Sequence, residues 1–245
     1  MIVAVTAAMA AVDSAAVART ITDKQTRQFA LPSGRGLTIE LTVGSVRVHG
    51  EARSDAVVDI TRSAPSTTAL ARVPVRVDET GQDIHINATQ VQGGTDSGIR
   101  TDIAARVPHD AALRAIRIME GNLALSDLRG EVLGEVRRGP IQATALAGTV
   151  RLETNIGDIT AQRVRLSPDG LLRLRAFNGT VRLALAELPS NARVMALALN
   201  GTIQSQIPLN VKDTWGPRWG EATIGNGEPV ISIDVVTGRI HITVE

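Results

Sequence analysis

Apolar and polar residues alternate in short runs along the second half of the chain, and a glycine restarts the alternation at a fixed interval. The recurring phrase is glycine, any residue, apolar, any residue, then apolar or small. It reads Gly121-Asn-Leu-Ala-Leu, Gly139-Pro-Ile-Gln-Ala, Gly148-Thr-Val-Arg-Leu and Gly157-Asp-Ile-Thr-Ala, and it returns at Gly179, Gly201 and Gly238. Gly121, Gly130, Gly139, Gly148 and Gly157 stand nine residues apart. Alternation with period two predicts half-buried strands. A short fixed repeat predicts strands that stack into an array.

The phase of the repeat adds a second constraint. Later openings fall at Gly170, Gly179, Ala192, Gly201, Pro229 and Gly238, so every insertion lands in the same one of two alternating gaps. The unit is therefore a pair of nonapeptides with one tight corner and one corner that tolerates extra loop. A plain antiparallel meander would hold the same strands and turns, but gives no reason for insertions at every second turn. The expected fold is all-β: a parallel β-solenoid or β-helix-like stack of paired nonapeptide strands over 119–245, with a less regular β part over 27–118.

Within each unit the second and fourth residues after the opening point inward. That assigns Leu123, Leu125, Val132, Ile141, Val150, Leu152, Ile159, Leu172, Leu174, Val181, Leu183, Val194, Ile203, Ile231, Ile233, Ile240 and Ile242 to the core. Their outward partners are polar or mixed, such as Thr149 with Arg151 and Thr180 with Arg182. Energetics explain the repetition. Six small aliphatics at roughly 1–2 kcal/mol each cannot offset the ordering of about eighteen residues at roughly 1–2 kcal/mol apiece, so one coil needs neighbours. In the N-terminal part, strands are expected at Ala56–Thr61, Val73–Val77, Asp83–Asn87, Ile99–Val107 and Leu113–Met119. Loops are expected at 92–98 and at Ser63–Arg72, the latter with a short helical turn. A long insertion, Ile207–Glu228, carries both tryptophans.

Composition narrows the picture. Only 2% of residues are aromatic against 43% hydrophobic, which suits a thin core of small aliphatics between two sheets. The formal net charge of +1 supplies no field for nucleic acid, and none is expected as a partner. The absence of cysteine removes disulfides, thiolate metal sites and a lipid-anchored cysteine. Residues 2–12 form an apolar run too short to span a bilayer, and Ala16-Val17-Ala18 follows with the small-residue spacing of a cleavage site. Residues 1–18 thus read as a signal peptide, although no Lys or Arg precedes the run. Residues 19–245 follow as a single domain, with no later transmembrane segment, in a secreted, periplasmic or envelope-associated protein.

The closing Gly225-Asn-Gly-Glu-Pro-Val-Ile-Ser-Ile-Asp-Val-Val-Thr-Gly-Arg-Ile-His-Ile, the Asn-Gly-Thr turns at 178 and 200, and Gly44-Ser-Val-Arg-Val-His-Gly carry a family likeness. Across roughly 27–245 the chain resembles bacterial β-strand-repeat proteins filed as putative adhesins. The resemblance implies an exported module and supplies no catalytic residues.

Motifs of chemistry are sparse. His49, His85, His109 and His241 show no paired-ligand spacing, so no metal is expected, and no nucleophile elbow, phosphate loop or dinucleotide fingerprint occurs, so no cofactor is expected either. Gly93-Gly94-Thr95-Asp96 occurs once and outside the repeat, which rules out a calcium roll. Three constellations remain. Trp215, Arg218 and Trp219 form a compact insertion whose indoles could stack on a ligand. The outward arginines Arg151, Arg173, Arg175, Arg182 and Arg193 could meet acidic polysaccharide or phosphate, but Glu153 and Asp158 interleave with them, which favours a solvated mixed-charge surface. Gln142, Thr160 and Gln204, with Thr180 and Thr202, form a neutral polar column. The leading expectation is a non-enzymatic exported binding or structural module whose partner is a cell-envelope glycan or protein. The alternative is a β-helical carbohydrate-active enzyme, a polysaccharide lyase or hydrolase, for which the dispersed outward acids Glu131, Glu153, Asp158 and Asp234 are a poor start.

Overall fold

A computed structural model describes residues 20–79, 81, 83–89, 98–212 and 216–245. Residues 1–18, expected to form a signal peptide, the 92–98 loop save its last residue, and Trp215 lie outside the described residues. Nearly everything described is strand: β1 Ile21–Ala30, β2 Gly36–Glu51, β3 Asp55–Ala64, β4 Arg76–Asp78, β5 Asp83–Ala88, β6 Arg100–Pro108, β7 Ala112–Ser126, β8 Val132–Arg138, β9 Ile141–Thr144, β10 Thr149–Ile156, β11 Ile159–Val164, β12 Leu171–Leu185, β13 Ala192–Ser205, β14 Asn210–Lys212, β15 Arg218–Ile224 and β16 Val230–Val244. One short helix, α1 Thr67–Arg72, interrupts them, capped by the Ser66 hydroxyl, which accepts from the Ala69 N–H. Val73 caps its other end, so the strand expected from Val73 begins only at Arg76.

Six strands, β7, β8, β10, β12, β11 and β9, pair in that order and close back on β7, every pair parallel. Closure needs only two long strands. The first part of β7 pairs with β8 and its last part with β9, while β12 divides itself between β10 and β11 in the same way. Gly121, Gly139, Gly157 and Gly179 mark the bend between the two halves, so the ring has two walls with the apolar core between them. Every residue assigned inward from the repeat is buried except Ile203, which is only half-buried near the end of β13.

The outer strands depart from the sequentially wound solenoid expected above, and the structure is instead a closed parallel ring with strands added on both sides. β16 inserts between β12 and β13, and β2 lies between β7 and the β5/β6 pair. The reason is burial. A parallel strand paired on both edges is covered on its inner face and must be apolar there. Ile231, Ile233, Val235, Ile240 and Ile242 of β16 are all buried, whereas the second half of β13 ends in Ile203, Gln204 and Ser205, which are not. The better-filled strand takes the inner place. Antiparallel strands finish the sheet, β3 and β1 beyond β6, and β15 and β14 beyond β13.

The tight corner is a column of glycines. A side chain on Gly121 would begin 1.5 Å from the Gly44 carbonyl oxygen; for Gly139 against Gly121 the distance is 1.8 Å, and for Gly179 against Gly157 also 1.8 Å. Gly238 meets Gly179, and Gly201 meets Gly238, in the same way. Buried Thr154 donates its hydroxyl to the Gly139 carbonyl at 3.1 Å, so the polar group inside the corner is satisfied. At the other corner Asp127, Ala145 and Arg163 take positive φ of 57°, 54° and 50°, each followed by a buried Leu128, Leu146 or Val164. Local backbone bonds between successive turns, such as Ala147 N–H to Leu128 O at 2.8 Å, hold that conformation.

Two alanine substitutions separate backbone crowding from side-chain crowding. Gly121→Ala drives a Cβ into a carbonyl at a φ of +146° and should cost about 2–5 kcal/mol, lowering Tm by roughly 5–15 °C. Gly134→Ala meets only the methyl ends of Leu123 and Leu152, and should cost about 1 kcal/mol or less. Equal melting temperatures for the two variants would refute the glycine column as the close-contact seam.

Candidate functional site

Parallel pairing in register turns sequence spacing into spatial rows. On the outer face of the first wall, Arg117 sits between Glu40 and Glu135, Glu135 beside Glu153, Glu153 beside Arg175, Arg175 beside Asp234, and Asp234 beside Leu197, whose partner on the last strands is Trp219. A second row runs Leu133, Arg151, Arg173, Ser232, Met195 and Glu221. Beyond these rows, next to the glycine corner, lies an apolar margin of Phe177, Val236 and Leu199 on β12, β16 and β13. Phe177 is 52% exposed and Leu199 39%.

Several of these charges neutralise each other. Arg117 donates to Glu40 at 2.6 Å, Arg114 to Glu131 at 3.1 Å, and Arg193 to Glu221 through two nitrogens at 2.9 and 2.7 Å. The centre of the wall is different. Arg173 approaches Asp234, and Arg175 approaches Glu153, only to 3.7 Å, and among the described residues Arg151 has no ion-pair partner. Together with Arg114 and Arg117 these three line a shallow trough of about 270 Å³ that also takes in Glu135 and Glu153.

The expected arginine set is therefore divided. Arg151, Arg173 and Arg175 come together; Arg193 lies at the edge with Glu221; Arg182 is on the opposite wall, bound to Asp158 at 2.9 Å. Of the tryptophan insertion, Arg218 and Trp219 open β15, paired with Ala198 and Leu197 of β13, and both are half-buried. The expected neutral column is interrupted on the second wall: Gln142 and Thr160 are neighbours, but Arg182 and His241 stand between Thr160 and Gln204. Phe177 was missed in the sequence, although its place two residues after Arg175 in the outward phase carried the signal.

Asp158 and Asp102 perform a structural task at the tight corner. Asp158 accepts the Thr180 N–H at 2.8 Å, and Asp102 accepts the Ser45 N–H at 2.9 Å and the Ser45 hydroxyl at 2.6 Å. Burial works against the charged form of both. For Asp158 the Thr180 N–H and Arg182 outweigh burial; for Asp102 Arg100 and Ser45 do. Both carboxyls are thereby held below the ordinary value of 3.8.

The fold also gathers histidines that are far apart in sequence. His49 Nδ1 lies 2.8 Å from the Ser126 hydroxyl and 3.4 Å from Asp127 Oδ2, while His109 Nδ1 lies 2.8 Å from the Asp127 carbonyl. A relay that activates the serine would need the hydroxyl and the carboxylate on opposite ring nitrogens, and here both face Nδ1. Among the described residues no group of three or more His, Asp or Glu side chains could hold a metal ion, and no helix is long and apolar enough to cross a membrane.

No protein-family model matches the chain, and no curated protein matches it. Solved structures do. One, named as a putative cell adhesion protein from Clostridium sporogenes, aligns with a TM-score of 0.50 at 11% identity over 92% of this chain and 100% of its own. A putative adhesin from Bacteroides fragilis aligns with a TM-score of 0.43 at 12% identity, covering 90% of this chain and 97% of its own. A putative adhesin from Parabacteroides merdae gives 0.34 at 10% identity, over 89% and 95%. The chain thus has an adhesin-like fold, and at these identities the likeness extends to the fold alone.

The two corner carboxylates generate a pH prediction. A carboxyl whose folded pKa is depressed contributes fully above its unfolded value and loses that contribution as pH falls through the lower folded one. Thermal stability should therefore fall as pH drops below about 3.8, and the Asp102→Asn/Asp158→Asn double variant should show a shallower acid loss than the wild type. Parallel acid profiles for the two proteins would show that these carboxylates do not staple the corner.

Proposed function

We propose that this protein is an exported, non-enzymatic β-repeat module that binds a component of the cell envelope through the outer face of its first wall. Residues 19–245 act as one unit in this reading, with the stacked parallel strands serving as a rigid scaffold for the contact face. The observation that carries it is the juxtaposition of Arg151, Arg173 and Arg175 with exposed Phe177 on in-register strands. A face built on paired strands is preorganised, so little conformational entropy is lost on contact. The adhesin-like fold supports the same reading. The apolar run at residues 2–12 and the Ala16-Val17-Ala18 spacing support export.

Incubation of the purified protein with an envelope fraction and a panel of neutral and acidic glycans tests the proposal. Retention is expected, with reducing ends and unsaturated sugar products unchanged after prolonged incubation. Release of such products would replace the binding module by a carbohydrate-active enzyme, and failure to retain any envelope component or glycan would overturn the binding reading.

A further inference from the structure

The three central arginines are where the surface is chemically incomplete. Arg151 and Arg173 are direct register partners on parallel strands, and like charges placed opposite each other destabilise a sheet. Neighbouring strands are about 4.8 Å apart, close enough for one anionic group to face two guanidinium groups. Among the described residues, the side chains of Arg151, Arg173 and Arg175 donate no hydrogen bond to a protein acceptor, and Arg173 and Arg175 have only the 3.7 Å approaches to Asp234 and Glu153, unlike Arg114, Arg117, Arg182 and Arg193. Planar guanidinium groups pair with carboxylates through two parallel bonds, which adds direction as well as strength.

Phe177 adds an exposed aromatic ring beside these cations. The chain has two phenylalanines, and the other, Phe29, is buried at 4% exposure. Phe177 projects on the same side of β12 as Arg173 and Arg175, with Val236 beside it on β16 and Leu199 one strand further on. A ring held on a strand beside cationic donors matches an amphipathic ligand with an apolar face and carboxylates at its rim. Glu135 and Glu153 line the same trough and disfavour a densely charged polyphosphate backbone, whereas a polymer with one carboxylate per sugar can place its charges between them.

Resting on the binding reading above, we infer that the ligand is an acidic polysaccharide, its carboxylates seated on Arg151, Arg173 and Arg175 and one sugar face stacked on Phe177.

Titration calorimetry with polygalacturonate, its fully methyl-esterified form and poly-glutamate tests this. Polygalacturonate should bind, with affinity falling as salt rises. Removing its charge by esterification should weaken binding at least about tenfold, and poly-glutamate, which has carboxylates but no sugar face, should bind about tenfold more weakly too. Arg151→Gln/Arg173→Gln should lose about tenfold in affinity and flatten the salt dependence. Phe177→Ala should lose about fivefold with its salt dependence intact. These exposed positions allow folding to be checked by an unchanged circular dichroism spectrum, and Arg151→Lys/Arg173→Lys should recover affinity only in part. Equal affinity for the charged and esterified polymers would overturn the acidic assignment while leaving a glycan-binding module. Equal affinity for poly-glutamate would overturn the sugar assignment, and no binding to any probe, with envelope retention intact, would move the site off this wall.

Discussion

At the tight corner, the carbonyl of one rung occupies the space where the next rung's side chain would begin. That single steric constraint explains why Gly44, Gly121, Gly139, Gly157, Gly179, Gly238 and Gly201 stand at the same corner of successive strands. Each must lack a Cβ because its neighbour's backbone is already there. It also fixes register. A one-residue slip would bring a side chain against a carbonyl and turn every inward aliphatic outward. Glycine at the corner and aliphatics along the walls therefore specify the same alignment twice, from independent physics.

Register in turn writes the surface. Because each strand meets its neighbour at the same phase, residues about eighteen positions apart in the repeat become direct lateral neighbours. Complementary charges then neutralise across strands, as Glu40 does with Arg117 and Asp158 with Arg182. Exposed pairs of this kind contribute little stability each, about 0–1 kcal/mol. Where the rows bring Arg151 against Arg173, the same geometry puts two like charges side by side, and among the described residues Arg151 has no ion-pair partner and Arg173 reaches Asp234 only at 3.7 Å.

How much of this could be read from the sequence follows from the range of the interactions involved. The glycine phase and the inward aliphatics are local periodic signals, and of the inward residues only Ile203 sits differently from expectation. The adjacency of Arg151 and Arg173 follows from the repeat once its phase is known. Strand order at the two sides does not, because β16 and β13 compete for one position and the outcome depends on how well each fills a core that neither sees locally. Asp127 with His49 and His109 was equally hidden, since the three meet only after β2, β6 and β7 have paired. The outward phase of Phe177 is legible in the sequence, but its place beside Val236 depends on the pairing of β12 with β16.

The ends of the array are covered, which fits the proposed contact through its faces. A parallel stack left open would present rows of unpaired backbone groups that template further strands. Here β1 and β3 run antiparallel beyond β6 at one end, and β1 is largely exposed and polar, with Asp23 tied to Arg62 and Asp55 to Arg53. At the other end β15 covers β13 over residues 192–198, and β14, three exposed residues ending in Lys212, covers part of β15. Among the described residues, 200–205 of β13 keep an outer edge without a ladder partner. This stretch is short, and its core-facing Ile203 is only partly buried. The other outer edges belong to β1, which is polar and largely exposed, and to β4 and β14, which are three residues each, so every edge is short or polar. The wall bearing Arg151, Arg173 and Phe177 lies on β10 and β12, each paired along both edges, so the proposed contact needs no change in the array itself.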